Sequence, residues 1–130
     1  MGVYMLEQFV FDILKINGVT SAILIDYNGP IINQSFNENI DIGTMSIMAY
    51  KNICASIDLG YELKWGGCEH MIVEHEKGPI ILSPLNQNKV LAVIGQRNVN
   101  ITRVMQEIKK IKVQMANDAI SNESNEQVYI

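Results

Sequence analysis

Two short stretches of this chain are apolar without a break, and they constrain its fold more than any other feature. They are I-I-L at residues 80–82 and V-L-A-V-I at residues 90–94, and the polar connection Asn86-Gln87-Asn88-Lys89 separates them. A strand with one solvent-exposed face alternates apolar and polar residues, whereas these two do not. We therefore expect a sheet that helices cover on both faces.

Three segments have the apolar spacing of helices and could supply that cover. The first spans residues 4–16. The second spans residues 41 to about 59, and Asp41 or Thr44 could cap it. The third begins at Asn98 or Asn100, each of which is a suitable N-cap.

Five further segments have the composition of strands. The first two flank an Asn-Gly turn, which favours a β-hairpin because both residues tolerate positive φ. Short connections join the last three, which predicts an antiparallel meander. The predicted strands are residues 21–26, 30–35, 68–75, 79–85 and 90–95.

Seven motifs in this order resemble the roadblock/LC7 family. They are N-G-V at 17–19, A-I-L-I-D at 22–26, N-G-x-I-I-x-x-S at 28–35, I-V-E at 72–74, G-P-I-I-L-S-P-L at 78–85, V-L-A-V-I at 90–94 and N-x-x-x-x-R at 98–103. Their order and spacing over residues 4–116 carry the resemblance, since no single motif is specific. The chain departs from the family pattern at Asn28, where Asp is common, and at Asn100, where a small residue such as Gly is common.

The resemblance implies an α/β (α+β) fold, a profilin-like sandwich. Its five-stranded antiparallel sheet has the order 2-1-5-4-3, with helices 1 and 3 on one face and helix 2 on the other. We expect one roadblock/LC7-like domain at residues 1–116. Residues 117–130 are rich in Asn, Ser and Glu and have little to bury, so we expect a disordered polar tail there.

Family members dimerise by pairing the third strand and the middle helix of each protomer, so the resemblance also implies a homodimer. The second helix carries a second apolar stripe beyond the one needed to seat it on a sheet, which indicates either such a contact or a deeply buried helix. Pairing would also cover the third strand, an otherwise exposed edge. The expected interface residues are Ile47, Tyr50, Cys54, Ile57, Cys68, His70, Met71, Ile72 and Val73.

Composition argues against several other partners and compartments. A net charge of -4 creates no positive field for nucleic acid or an anionic membrane surface. No apolar run reaches the roughly 18 residues of a membrane span. Cys54 and Cys68, the only cysteines, lack the spacing of a disulfide framework or a zinc ribbon. We expect a cytoplasmic protein.

The segment C-E-H-M-I-V-E-H-E at 68–76 is the one concentration of metal-ligating or acid–base groups. In a strand, Cys68, His70 and Glu74 would point one way and Glu69 and His75 the other, too few on either face for zinc. The sequence also lacks a nucleophile elbow, a phosphate-binding loop and a dinucleotide fingerprint. We expect no metal, no cofactor and no enzymatic activity.

The function that the resemblance implies is therefore a non-catalytic one. It is that of a homodimeric regulatory or scaffold protein that binds a Ras-like small GTPase or a sister roadblock subunit. The alternative is a small-ligand sensor of a related sandwich fold, because the seven methionines could line an adaptable cavity between the sheet and the middle helix.

Overall fold

The helices and strands follow one another along the chain in the predicted order: one helix, two strands, a second helix, three strands and a third helix. A computed structural model describes residues 3–35, 39–86 and 88–128, with the side chains of residues 5–34, 39–86 and 88–118. Gln87 of the predicted connection, and Tyr129 and Ile130 of the predicted tail, lie outside the described residues. The elements are α1 (Val3–Leu14), β1 (Val19–Asp26), β2 (Gly29–Ser35), α2 (Ile42–Glu62), β3 (Met71–His75), β4 (Gly78–Pro84), β5 (Val90–Gly95) and α3 (Ile101–Val128).

The strands form one antiparallel sheet in the order β2-β1-β5-β4-β3, which confirms the predicted topology. β1 and β5 lie at its centre, with Ile23 opposite Ala92 and Leu24 opposite Leu91. The predicted hairpin between β1 and β2 is present, although of its Asn-Gly pair only Gly29 adopts positive φ, at 118°. Asp26 Oδ1 accepts a hydrogen bond from the Asn28 amide at 2.7 Å and organises the turn.

The central strands are buried on both faces, and this divides the core into two clusters. Leu24 and Leu91 pack with residues of α1 and α3 on one face. Ile23 and Ala92 pack with Ile53 of α2 on the other. The predicted placement of the helices is thereby confirmed, and the unbroken apolar runs follow from it because neither face of these strands meets solvent.

The structure shows which of the candidate residues cap the N-termini of α2 and α3. Asp41 caps α2, accepting a hydrogen bond from the Thr44 amide at 3.1 Å, and its other carboxylate oxygen accepts one from the Thr44 hydroxyl at 2.8 Å. The bond from the Thr44 amide, together with that from its hydroxyl, lowers the pKa of Asp41. Asn100 caps α3 in the same way through the Arg103 amide.

Several boundaries differ from those predicted; for example, β1 begins at Val19 rather than Ser21, and α2 ends at Glu62 rather than near Leu59. β3 begins at Met71 rather than Cys68. Extending its register with β4 would set Glu69 opposite Pro84, which has no N–H to donate. At the other end of the chain, α3 runs on to Val128, past residue 117 where the sequence places the start of a polar tail. The division into a domain and a tail stays a prediction.

The C-terminus of α2 ends in a Schellman motif. The Trp65 amide donates to the Gly60 carbonyl at 2.8 Å and the Lys64 amide to the Tyr61 carbonyl at 3.0 Å. Lys64 therefore adopts φ 60°, in the left-handed region. A side chain there is unfavourable, because its Cβ approaches the following carbonyl group.

We predict that Lys64→Gly raises the free energy of unfolding by about 0.5–1 kcal/mol, since glycine adopts this conformation without the steric cost. Urea unfolding followed by circular dichroism measures the change. The matched control is Lys51→Gly in the interior of α2, which should lower the same quantity by about 1 kcal/mol. A loss of stability in both variants would contradict the left-handed conformation assigned to Lys64.

We also predict that Ser83→Ala stabilises the protein by about 1 kcal/mol. The Ser83 hydroxyl in β4 is fully buried and has no hydrogen-bond partner within the described part of the chain. Removing an unsatisfied buried hydroxyl removes its desolvation cost. Ser56→Ala is the control, because that hydroxyl donates to Met71 Sδ at 3.3 Å and its removal should not stabilise. Equal urea midpoints for wild type and Ser83→Ala would show that the hydroxyl is satisfied.

Candidate interaction surface

Both flanks of α2, on either side of the stripe that packs on the sheet, present apolar side chains to solvent. A helix repeats every 3.6 residues, so residues three, four and seven apart share a flank. Ile47, Tyr50, Cys54 and Ile57 therefore form one flank, and Met48, Asn52, Ser56 and Leu59 form another. The sequence predicts the first set as an interface and omits the second.

The predicted flank faces the β1–β2 turn. The Tyr50 ring meets the Tyr27 ring edge-on, with centroids 6.3 Å apart and planes at 76°. Tyr50 and Ile57 are half-buried and pack against the core cluster under α2. Cys54 is a half-buried free thiol, and Ile47 is 53% exposed. Only part of this flank is thus accessible in one protomer.

The second flank faces β3. The hydrogen bond between Ser56 Oγ and Met71 Sδ fixes this orientation. Met48 is 61% exposed and Leu59 60% exposed, so a partner lying along β3 would meet them first. Sequence reasoning missed both because Asn52 and Ser56 interrupt the apolar pattern between them.

β3 lies at the edge of the sheet and, among the described strands, pairs only with β4. Met71 is half-buried and packs with the cluster under α2. Val73, two residues on, shares its face, while Ile72 points to the opposite face and is exposed. The predicted interface residues of this strand therefore lie on both faces of an unpaired edge.

Cys68 and His70 lie before β3, which corrects the prediction that places them within it. The Cys68 thiol donates to the His70 carbonyl at 3.5 Å, and Lys112 Nζ of α3 donates to the Glu69 carbonyl at 2.7 Å. Burial lowers the pKa of Lys112, and the nearby Glu69 opposes that shift. Lys112 thus links this segment to α3, and the segment does not continue the β3 strand.

An exposed aromatic side chain follows α2 directly. The Schellman motif fixes the backbone of Trp65, yet its side chain is 81% exposed, and the side chains of Tyr61 and Leu63 are exposed as well. The sequence analysis attached no role to Trp65, although it is the only tryptophan of the chain.

The described residues contain neither a cluster of metal ligands nor a membrane-spanning helix. Among the described side chains, those of residues 5–34, 39–86 and 88–118, no three from His, Cys, Asp or Glu come together as a metal site would require. None of the described helices is long and apolar enough to span a bilayer.

The fold itself matches known structures. MglB of Myxococcus xanthus superposes with a TM-score of 0.81 at 19% identity, covering 93% of this chain and 99% of that one. A roadblock/LC7 domain from Streptomyces avermitilis superposes with a TM-score of 0.75 at 14% identity, covering 88% and 97%. This chain has the roadblock/LC7 fold. An MglB structure with a tetrameric arrangement also shares that fold, with a TM-score of 0.76 at 15% identity over 90% of each chain.

No protein-family model matches the sequence, and no curated protein matches it. At these identities the structural likeness establishes the roadblock/LC7 fold alone. The fold places α2 and the β3 edge side by side, as the sequence resemblance implies.

We predict that Lys112→Met lowers the free energy of unfolding by about 1 kcal/mol, because it removes a charge-assisted hydrogen bond while keeping the aliphatic stem. Hydrogen exchange of the amides at residues 68–70 should accelerate in the same variant, as the segment loses its link to α3. Lys109→Met on the exposed face of α3 is the control. Unchanged exchange at 68–70 would show that this contact does not order the segment.

Proposed function

We propose that this protein is a non-catalytic homodimeric regulatory or scaffold protein that binds a Ras-like small GTPase. The observation that carries the proposal is the exposed edge of β3 lying beside exposed apolar residues of α2. An edge strand leaves N–H and C=O groups unpaired, and a second copy could pair with them. The tetrameric arrangement of an MglB structure supports self-association in this fold.

The two edges of the sheet differ, and the difference favours β3 as the pairing edge. β2 carries Pro30, which has no N–H, and its register with β1 shifts between Leu24 and Ile25. Proline and bulges are devices that protect an edge from pairing. β3 has neither within Met71–His75, and its register with β4 is regular. Pairing two copies of β3 would bring Ile72 and Val73 together with their equivalents.

In such a dimer the two α2 helices would approach each other on one face of the joined sheet. Met48 and Leu59 lie on the flank that faces β3, so they would enter the contact with Met71. The predicted flank of Ile47, Tyr50, Cys54 and Ile57 remains part of the proposed surface. A GTPase would bind the platform formed by the paired helices, and that partner would supply the hydrolytic chemistry.

The small-ligand alternative receives no specific support. The space between the sheet and α2 holds a packed apolar cluster that includes Ile23, Ile53 and Leu82. Open clefts of about 590 and 550 Å³ lie instead between α1 and α3. The methionine Met71 packs against the α2 cluster and Met115 belongs to the α1–α3 cluster, as ordinary gap-filling side chains do.

The dimer is tested by molar mass in solution, measured by light scattering over a dilution series into the low micromolar range. We expect twice the monomer mass of 14.6 kDa. Met48→Glu should raise the dimer dissociation constant at least about tenfold, because it would bury a charge in the contact. Ile47→Glu, one residue away on the other flank, is the matched comparison and should have the smaller effect.

A larger effect of Ile47→Glu would move the contact to the flank predicted from the sequence. A monomer at all concentrations would overturn the homodimer. Partner binding is then tested by capturing purified small GTPases loaded with GDP or with a non-hydrolysable GTP analogue. We expect preference for the GTP form, and its loss in Met48→Glu. Equal capture of both nucleotide forms would contradict a regulatory role.

A further inference from the structure

A second surface lies on the opposite face of the sheet, in the groove between α1 and α3. One cleft of about 590 Å³ lies at the N-terminal end of α3 and another of about 550 Å³ lies farther along. Lys110 lines both, so the two clefts are neighbours along α3, and together they are called the α1–α3 groove. From Asn100 to Gln114 it follows α3 for about 21 Å at the helical rise per residue.

Charge is unevenly distributed along this groove. Lys15, Arg103, Lys109 and Lys110 line it, against two carboxylates, Asp12 and Glu107. The whole chain has a net charge of -4, so the charge of the groove is opposite in sign to that of the protein as a whole. An exposed cationic groove on an acidic protein attracts negatively charged ligands.

Glu107 offsets only part of this charge, because one carboxylate faces two cations. It is only 7% exposed, and its Oε1 accepts from Arg103 Nη1 at 3.1 Å and from Lys110 Nζ at 3.0 Å. One buried carboxylate thus holds two cations whose side chains are more than half exposed. Their remaining N–H groups stay available to an incoming acidic group.

Lys15 is also held in place, because its Nζ lies 4.5 Å from the centroid of the Phe11 ring. Exposed lysines ordinarily lose rotamer freedom when they bind a ligand. Here internal contacts already restrict Lys15, Arg103 and Lys110, which lowers that cost.

The far end of the groove is apolar. Phe9 and Val113 line it, and Val113 is exposed although it lies on a helix whose apolar face is otherwise packed on the sheet. A free phosphate or a small anion would use the cationic end and leave this apolar surface uncovered. A ligand that matches both ends must be elongated, acidic and partly apolar.

We propose that the groove between α1 and α3 binds an acidic amphipathic segment of a partner protein. Acidic residues of the segment pair with Lys15, Arg103 and Lys110, and an apolar residue packs on Phe9 and Val113. The site is separate from the proposed α2–β3 surface, since α1 and α3 cover the other face of the sheet. Both surfaces can therefore be occupied together.

The test uses the full chain, labelled with ¹⁵N, and a panel of synthetic peptides of about 14 residues, the length that spans the groove as a helix. Each peptide carries Leu at helical spacing with Glu between. One matched set replaces Glu by Lys and another replaces Leu by Ser. We expect saturable binding of the Leu–Glu peptides alone, with amide shifts confined to α1 and the first half of α3.

The double variant Lys15→Glu/Lys110→Glu should weaken this binding roughly tenfold or more. The control Lys51→Glu/Lys77→Glu makes the same change of charge on exposed sites outside the groove and should leave binding unchanged. Val113→Ser, which alters no charge, should weaken binding severalfold and keeps the test valid if the charge reversals disturb folding. The oligomeric mass of each variant is measured in parallel, so that failure of the groove is distinguished from failure of the dimer.

Four results would overturn the proposal. They are no saturable binding up to about 1 mM peptide, which corresponds to about 4 kcal/mol of binding free energy; equal binding of the Lys-substituted peptides; equal binding of the Leu-free peptides; and shifts that map to α2 and β3 in place of α1 and α3.

Discussion

Burial of β1 and β5 on both faces is the constraint on which the rest of the structure depends. Ile23 and Leu24 are adjacent in β1, yet each is enclosed by a different cluster. Burying apolar surface stabilises by roughly 25 cal/mol per Å², and these strands gain it on two faces at once. The sheet must then have helices above and below, and each helix exposes whatever part of its surface does not meet the sheet.

That division creates two outer surfaces with different chemistry. α2 is the one described helix on its face of the sheet, so no other helix packs against its flanks. The flank that faces β3 carries the exposed side chains of Met48 and Leu59. α1 and α3 share the other face, so a groove forms where they meet, and most of its charged side chains are cationic. The apolar surface favours association with another apolar surface, whereas the groove selects by charge.

Local pattern predicts the helices and strands, the burial of the sheet on both faces and the candidate caps, whereas the sheet order and the face on which each helix lies were implied by the family resemblance, because neither depends on local pattern. Unbroken apolar runs mark the central strands, and Asp41 and Asn100 are of residue types that N-caps prefer. The start of β3 was not predictable in the same way, because the residue opposite Glu69 is Pro84, which is known only once the register is known. Lys64 in a left-handed conformation likewise has no sequence signal, since glycine is the usual residue there.

The candidate surfaces were predicted less completely than the fold, for a physical reason. Periodicity finds stripes of apolar residues, but a stripe can be exposed or half-buried, and only the packing of α2 separates Ile47 from Tyr50 and Ile57. The groove is harder still to predict, because its cations come from two segments far apart in sequence. In the sequence Glu107 resembles any other helical carboxylate, and only the structure shows that Arg103 and Lys110 converge on it. The core does not determine the side chains of either surface, so the shared fold, at 19% and 14% identity to its structural neighbours, does not by itself specify what these surfaces bind.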